Sequence, residues 1–341
     1  PELFVLGSSA VAWNPGAECP AWLEWLEKQV ADEETIQMLR EFGGYCLTAR
    51  NDIHRFLLLL GPPRTGKSTF ARILSAVVGQ SNVAAASASD LGHRFGLEVL
   101  IGKRLLVIGD ARFHSRAGNA IERLLTIPGG DVLQVDRKNR TPLVYRPECK
   151  LILAANDMPM LQDASGAIAR RALIARFDRS FADSEDHGVE ERLLAEGEGI
   201  LRWFVTGYQQ LAARANAPGG RWAYVEPRKA VLAREELLRT GSPILSFVED
   251  CCDVAPDLFI AKADLFSAYQ KWCEEEAGMR ALSRMSFFRD LMSAVPGLTE
   301  TRHRDTAGRL RVVNGLNLRL GNLDGIIRRE EPDEFVDGIP V

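Results

Sequence analysis

The stretch GPPRTGKST, residues 61–69, brings two glycines, a lysine and three hydroxyl side chains together at short fixed spacing. Gly61 to Ser68 match G-x-x-x-x-G-K-[ST] in full, between the apolar run FLLLL and the amphipathic TFARILSAVVG. Each residue type has a chemical use. Gly61 and Gly66 let backbone N–H groups turn inward on phosphates, and the following helix N-terminus adds partial positive charge. Lys67 can reach the β- and γ-phosphates, and the Ser68 hydroxyl can ligate Mg²⁺. Pro62, Pro63, Arg64, Thr65 and Thr69 complete the cradle. The chain is therefore expected to bind a nucleoside triphosphate with Mg²⁺. Hydrolysis needs a carboxylate near the metal and a polar group near the γ-phosphate. In open α/β sheets both belong beyond the carboxyl ends of strands. Asp110, ending KRLLVIGDAR, and Asn156, in KLILAANDMP, occupy such places.

The elements that must position these groups follow from the apolar pattern. FLLLL (56–60), RLLVIG (104–109) and KLILAAN (150–156) are continuous apolar runs, which strands buried on both faces of a parallel sheet require. Residues 56–180 are thus expected to form an α/β domain. Residues 1–55 are expected to be helical, with Trp22, Leu23, Trp25, Leu26 and Val30 at helical spacing. Ile36, Leu39 and Phe42 follow before Gly43–Gly44 break the pattern. Residues 181–240 read as an acidic helical segment and linker, with a loop at NAPGGR (216–221). From Ser242, which can cap a helix beginning at Pro243, the order is helix, short strand at LFIA, helix, helix, hairpin. The third of these helices carries Phe287, Phe288, Leu291, Met292 and Val295 on one face, with Ser283 placed to cap it. DTAG (305–308) joins two strand-like runs, which completes a winged-helix order over 241–320. The acidic segment 321–341 reads as a mobile tail.

Composition narrows the class. The 341 residues are 46% hydrophobic and 26% charged, with a formal net charge of −4. Nothing global marks nucleic acid or membrane, so any basic surface must be local. No run reaches the roughly 18–20 apolar residues of a membrane helix, and no leader is recognisable. The six cysteines, Cys19, Cys46, Cys149, Cys251, Cys252 and Cys273, form no CxxC pair and read as free thiols of an intracellular protein. The chain begins PELFVLG, without Met, as expected of a piece of a longer polypeptide.

Taken in order, GPPRTGKST, GLEVLIGKRLLVIGDAR, ERLLTIPGGDVLQVDRKNR, KLILAANDMPMLQDASGAIARRALIARF and LFSAYQKWCEEEAG resemble the superfamily 3 helicases, specifically the helicase part of phage and plasmid primase-helicases. The resemblance runs from about Cys19 to Leu320. It implies an AAA+-like P-loop core, with 1–55 as an N-terminal helical collar, in a hexameric ring that threads single-stranded DNA and unwinds duplex with ATP. It implies Gly61–Thr69 as motif A, Asp110 as the motif B acid, Gly129–Arg140 as the motif B′ hairpin and Asn156 as motif C. Many relatives carry two adjacent acids in motif B; here Gly109 precedes Asp110, which leaves the group orienting the attacking water unassigned.

Two further features fit a ring. In ARRALIARF, Arg171 matches the family's trans-acting finger best, with Arg170 second; such a group is worth about 10³ to 10⁵ in rate in related hydrolases. In GGDVLQVDRKNRTPLVYR, alternating apolar residues flank a basic tip at Arg137, Lys138 and Arg140, suited to tracking a phosphate backbone. Arg284 and Arg289, with Arg302, Arg304, Arg309 and Arg311 on the wing, form a basic cluster fitted to forked or duplex DNA. The expected protein is an ATP-dependent replicative helicase, cytoplasmic in a bacterial cell and encoded by a phage or mobile element, with a primase or primase-polymerase module upstream. The alternative is an ATP-regulated initiator or loader that assembles on DNA without unwinding it.

Overall fold

Five consecutive apolar residues cannot leave one strand face in water, and Phe56–Leu60 are buried without exception in β1. In this computed structural model, which describes residues 9, 11–109, 118–159, 166–180, 186, 188–275, 281–305 and 308–319, the chain divides into two compact units, 1–241 and 242–341. Asp110 and the tail 321–341 lie outside the described residues.

The first unit is a mixed α/β arrangement around a five-stranded parallel sheet. Along the chain run α1 (Pro20–Val30), α2 (Glu33–Cys46), β1 (Phe56–Leu60), α3 (Lys67–Val78), β2 (Val83–Ala85), α4 (Ala88–Gly92), β3 (Leu105–Ile108) and α5 (Gly118–Gly129). Then come β4 (Leu133–Arg137), β5 (Arg140–Tyr145), β6 (Lys150–Ala155), α6 (Ala167–Arg171), β7 (Ala172–Arg176), α7 (Val189–Ala195), α8 (Gly197–Asn216) and α9 (Arg228–Gly241). The sheet order is β2-β3-β6-β1-β7, and every neighbouring pair is parallel.

Strand side chains alternate between two cores. Leu57 and Leu59 join Trp22, Phe42, Phe70 and Phe204 on one side; Phe56, Leu58 and Leu60 join Leu91, Leu124, Ile168 and Leu237 on the other. The N-terminal helices thus share a core with the sheet. β2 and β7 lack any apolar run long enough to stand out in the sequence. They are recruited by pairing, Val83–Ala85 along β3 and Ala172–Arg176 along β1.

Helix α2 corrects one expectation. It does not stop at Gly43–Gly44 but continues to Cys46. The two glycines let α8 approach: a Cβ on Gly44 would stand 2.1 Å from the Phe204 carbonyl oxygen. Beside that contact the fully buried Glu41 carboxylate accepts two hydrogen bonds from Arg214, both 2.7 Å, one from the Val225 N–H at 3.0 Å and one from Gln37 at 2.8 Å.

The second unit contains α10 (Pro243–Cys251), β8 (Cys252–Ala261), α11 (Lys262–Glu275), α12 (Arg284–Ala294), β9 (Thr299–Asp305) and β10 (Gly308–Leu318), with an antiparallel sheet ordered β8-β10-β9. Ser242 and Ser283 accept the Leu245 and Ser286 N–H groups, at 3.3 and 3.2 Å, and so cap α10 and α12. Strand β8 is longer than LFIA alone, because its pairing with β10 extends back to Cys252 across a bulge near Leu316. Tyr269 and Phe287 stack at 4.4 Å in its core. All six cysteines are free and buried. Among the described residues no helix is long and apolar enough to cross a membrane.

Removing Arg214 would leave the Glu41 charge buried and short of donors. Arg214→Ala is expected to lower unfolding free energy by about 3 kcal/mol, read by urea denaturation; a loss below about 1 kcal/mol would refute the pairing as a structural tie.

Candidate functional site

Parallel pairing brings the carboxyl ends of β3, β6 and β1 to one edge, where the residues that follow β6 and β1 are neighbours. The Gly61 N–H donates to the Ala155 oxygen at 3.3 Å, and the Phe177 N–H donates to the Leu60 oxygen at 2.7 Å. These bonds hold the start of loop 61–66 between two neighbouring strands. Its glycines are required by geometry. Gly61 (φ 152°) lies against the Phe177 carbonyl oxygen, 2.1 Å from where a Cβ would sit. Gly66 (φ 88°) would place a Cβ 2.9 Å from Trp25 Cζ2 and 3.0 Å from Gln29 Oε1.

Helix α3 then begins at Lys67 with no side-chain cap and no acidic residue in its first turn. Its positive end is uncompensated by its own side chains. Lys67 is only 6% exposed. Its Nζ turns back into the loop, donating to the Gly61 oxygen at 2.5 Å, the Pro62 oxygen at 2.6 Å and Thr65 Oγ1 at 3.3 Å. Burial pushes the ammonium pKa below its ordinary value, and the charge of Asp157 opposes that shift. Thr65 is buried and donates to the Pro62 oxygen at 2.9 Å. Pro62, Pro63, Arg64 and Ser68 are exposed, and Thr69 is half-buried. Asn156 follows directly on β6, half-buried, with exposed Asp157 beside it.

A cavity of about 660 Å³ adjoins Gly66 and Thr69. Its far walls come from α1 (Trp25, Gln29) and α7 (Val189). Helix α1 has no cap of its own; the Glu196 carboxylate, between α7 and α8, accepts the Ala21 and Trp22 N–H groups, each at 3.0 Å. That charge at its N-terminus seats α1 against the loop.

The basic candidates fall in three places. Strands β4 and β5 form an antiparallel hairpin whose turn is Lys138–Asn139, with Asn139 left-handed (φ 57°). Lys138 and Arg140 are exposed, whereas the half-buried Arg137 spends its guanidinium on the Thr141 oxygen at 3.0 and 2.8 Å. At the end of α6, Arg171 is half-buried and donates to the Leu125 oxygen of α5, while Arg170 is exposed. In the second unit Arg284 and Arg289 are exposed on α12, with Arg289 2.8 Å from Asp290. Arg302 stands opposite Arg311, and Arg304 opposite Arg309, in the β9–β10 register. The side chains of Arg304 and Arg309 lie outside the described residues.

Three residues of this site escaped sequence reasoning. Asp157 has only its adjacency to Asn156 as a signal. Gln29 is a polar residue in the apolar stripe of α1, one turn from Trp25 and Leu26, and Trp25 itself looked like core.

Comparison with other proteins agrees with the fold. The pattern of a family of unknown function, DUF5906, matches residues 59–171, from the end of β1 to Arg171. An uncharacterized mitochondrial protein, ymf21, of Marchantia polymorpha is 26% identical over 87 residues; the match spans 25% of this chain and 48% of that protein, so the chain spans about half of its curated relative. Two apo structures of the NrS-1 C-terminal region superpose with a TM-score of 0.54 at 13% and 12% identity. Each covers 91% of this chain, and the matches cover 78% and 79% of the NrS-1 chains.

Gly61→Ala is expected to cost about 2 kcal/mol or more, since both the backbone angle and the Phe177 carbonyl oppose a Cβ. Chemical denaturation measures it; unchanged stability would mean that the loop start is not held as described.

Proposed function

We propose that the chain is the ATP-driven motor of a replicative DNA helicase, and that residues 61–69 hold the triphosphate. The observation that carries this reading is the buried Lys67 ammonium, gathered among loop oxygens at the uncapped start of α3. Carbonyl oxygens of Gly61 and Pro62 occupy positions that anionic phosphate oxygens would fill more favourably, because a charge-assisted pair outweighs a neutral acceptor. Gly66, Lys67, Ser68 and Thr69 would bind and orient the phosphates. Ser68 and Asp110 would hold Mg²⁺, which supplies charge neutralisation between β- and γ-oxygens. Asn156, beside the loop, would position water or sense the terminal phosphate.

The likeness in fold to the C-terminal region of NrS-1 is compatible with the helicase-type role that the motifs suggest. The chain would act as a head-to-tail ring of six on single-stranded DNA, within a polypeptide that also carries a primase or primase-polymerase. In such a ring each nucleotide faces a neighbour. The trans-acting arginine would be Arg171, with Arg170 second, side by side at the end of α6. Lys138 and Arg140 would line the channel as phosphate contacts. The second unit would act as a winged helix at the fork. There, the exposed Arg302 and Arg311, opposite each other in the β9–β10 register, bring like charges together, a costly arrangement that a polyanion would relieve. A non-unwinding initiator or loader is the second reading, favoured by Gly109 where a second acid would stand.

Strand displacement on forked DNA decides between them. Wild-type protein with ATP and Mg²⁺ is expected to release the displaced strand, and Lys67→Ala to abolish release. ATP turnover without displacement would favour the loader, and wild-type displacement by Lys67→Ala would end the cradle assignment. Lys138→Ala should weaken single-strand binding and reduce the slope of log affinity against log salt by about 0.7 per protomer contact; an unchanged slope would place the phosphate contacts elsewhere.

A further inference from the structure

We propose that the cavity between α1 and the start of α3 receives the nucleoside of the bound nucleotide, and that Gln29 selects adenine over guanine. The proposal rests on loop 61–69 being the triphosphate site. Gln29 is only 6% exposed, and among the described residues its Oε1 has no hydrogen-bond partner. Buried side-chain oxygens are nearly always paired, so an orphan on a residue that lines a cavity points to a ligand. The position is suggestive: Oε1 lies 3.0 Å from the Cβ that Gly66 lacks, and Gln29 and Gly66 share the cavity wall. Thr69 and Arg72 of α3 line the same cavity. At about 660 Å³ it falls within the range of small-molecule sites. Trp25, one turn before Gln29, supplies an aromatic wall.

The base follows from the polar groups. An amide offers one donor and one acceptor side by side, matching the amino group and adjacent ring nitrogen of adenine. Guanine instead presents a ring N–H and an amino group side by side, two donors that a carboxylate would satisfy. The cavity's three carboxylates are already held by cations: Glu24 by Lys28 at 2.6 Å, Glu190 by Arg72 at 2.6 Å, and Asp186 by Arg192. Gln29 therefore provides the base-reading contact, and adenine fits it without leaving a donor unmet.

Calorimetric titration with AMP-PNP, GMP-PNP and inorganic triphosphate, each with Mg²⁺, tests this. Wild-type protein is expected to bind AMP-PNP about tenfold tighter than GMP-PNP, the worth of a single good hydrogen bond. Gln29→Leu should bring the ratio close to one while its melting temperature stays level or rises, because the orphan oxygen is gone. Inorganic triphosphate, having no nucleoside, should bind wild type and Gln29→Leu alike and be lost in Lys67→Ala. Equal affinity for the two nucleotides in wild type, or an unchanged ratio in Gln29→Leu, would overturn the proposal. If triphosphate binds while the ratio is one, only the nucleoside assignment fails. If neither nucleotide nor triphosphate binds, the cradle fails with it. Should Gln29→Leu not fold, Gln29→Glu serves: its acceptor-only carboxylate is expected to shift preference toward GMP-PNP, and an unshifted ratio would again overturn the proposal.

Discussion

The constraint on which the candidate site depends is the parallel register of β1 between β6 and β7. Leu60 pairs with Ala155 on one side and with Arg176 on the other, so Gly61 emerges with strand backbone on both flanks. One flank receives its N–H, and the other pushes the Phe177 carbonyl against its Cα. A residue with a side chain cannot occupy that slot. The chain must therefore leave the sheet through a glycine and turn at once into α3. Asn156 stands beside the loop for the same reason: β6 ends in register with β1.

Register alone does not hold a loop against its own polar groups. The first-turn N–H groups of α3 have no side-chain cap, and the Lys67 ammonium turns inward to three loop oxygens. Burial lowers the lysine pKa, which means that its charge is poorly solvated where it stands. A site built this way costs stability when empty and regains it with an anion. The two cores on either face of the sheet supply the rigidity that such a site requires. Their alternation along β1 means that both layers act on the same short strand.

The contribution of α1 is less direct. Its amino end is held by Glu196, 175 residues beyond Ala21 in sequence, and its middle presents Trp25 and Gln29 to Gly66. Helices flanking the sheet sequence at both ends are thereby tied together over the loop. The Glu41–Arg214 pair and the close approach of α2 to α8 do the same one helix further on.

Much of this was legible in the residues themselves. FLLLL and KLILAA have no polar face to offer, so they could only be buried strands, and the loop between FLLLL and an amphipathic helix carried its own spacing rule. Ser242 and Ser283 announced helix starts because a cap acts within three residues. What the sequence left open were effects that require a distant partner. Gly43–Gly44 looked like a stop until α8 supplied a reason for small residues inside a helix. The Arg171 guanidinium meets the Leu125 carbonyl of α5, and Gln29 meets Gly66, contacts that spacing along the chain does not foretell. Local chemistry is written in neighbouring side chains, whose distances the backbone sets in advance. Pairings such as Glu196 with α1, or Gln29 with Gly66, depend on where packing brings remote segments, and only the folded chain decides that.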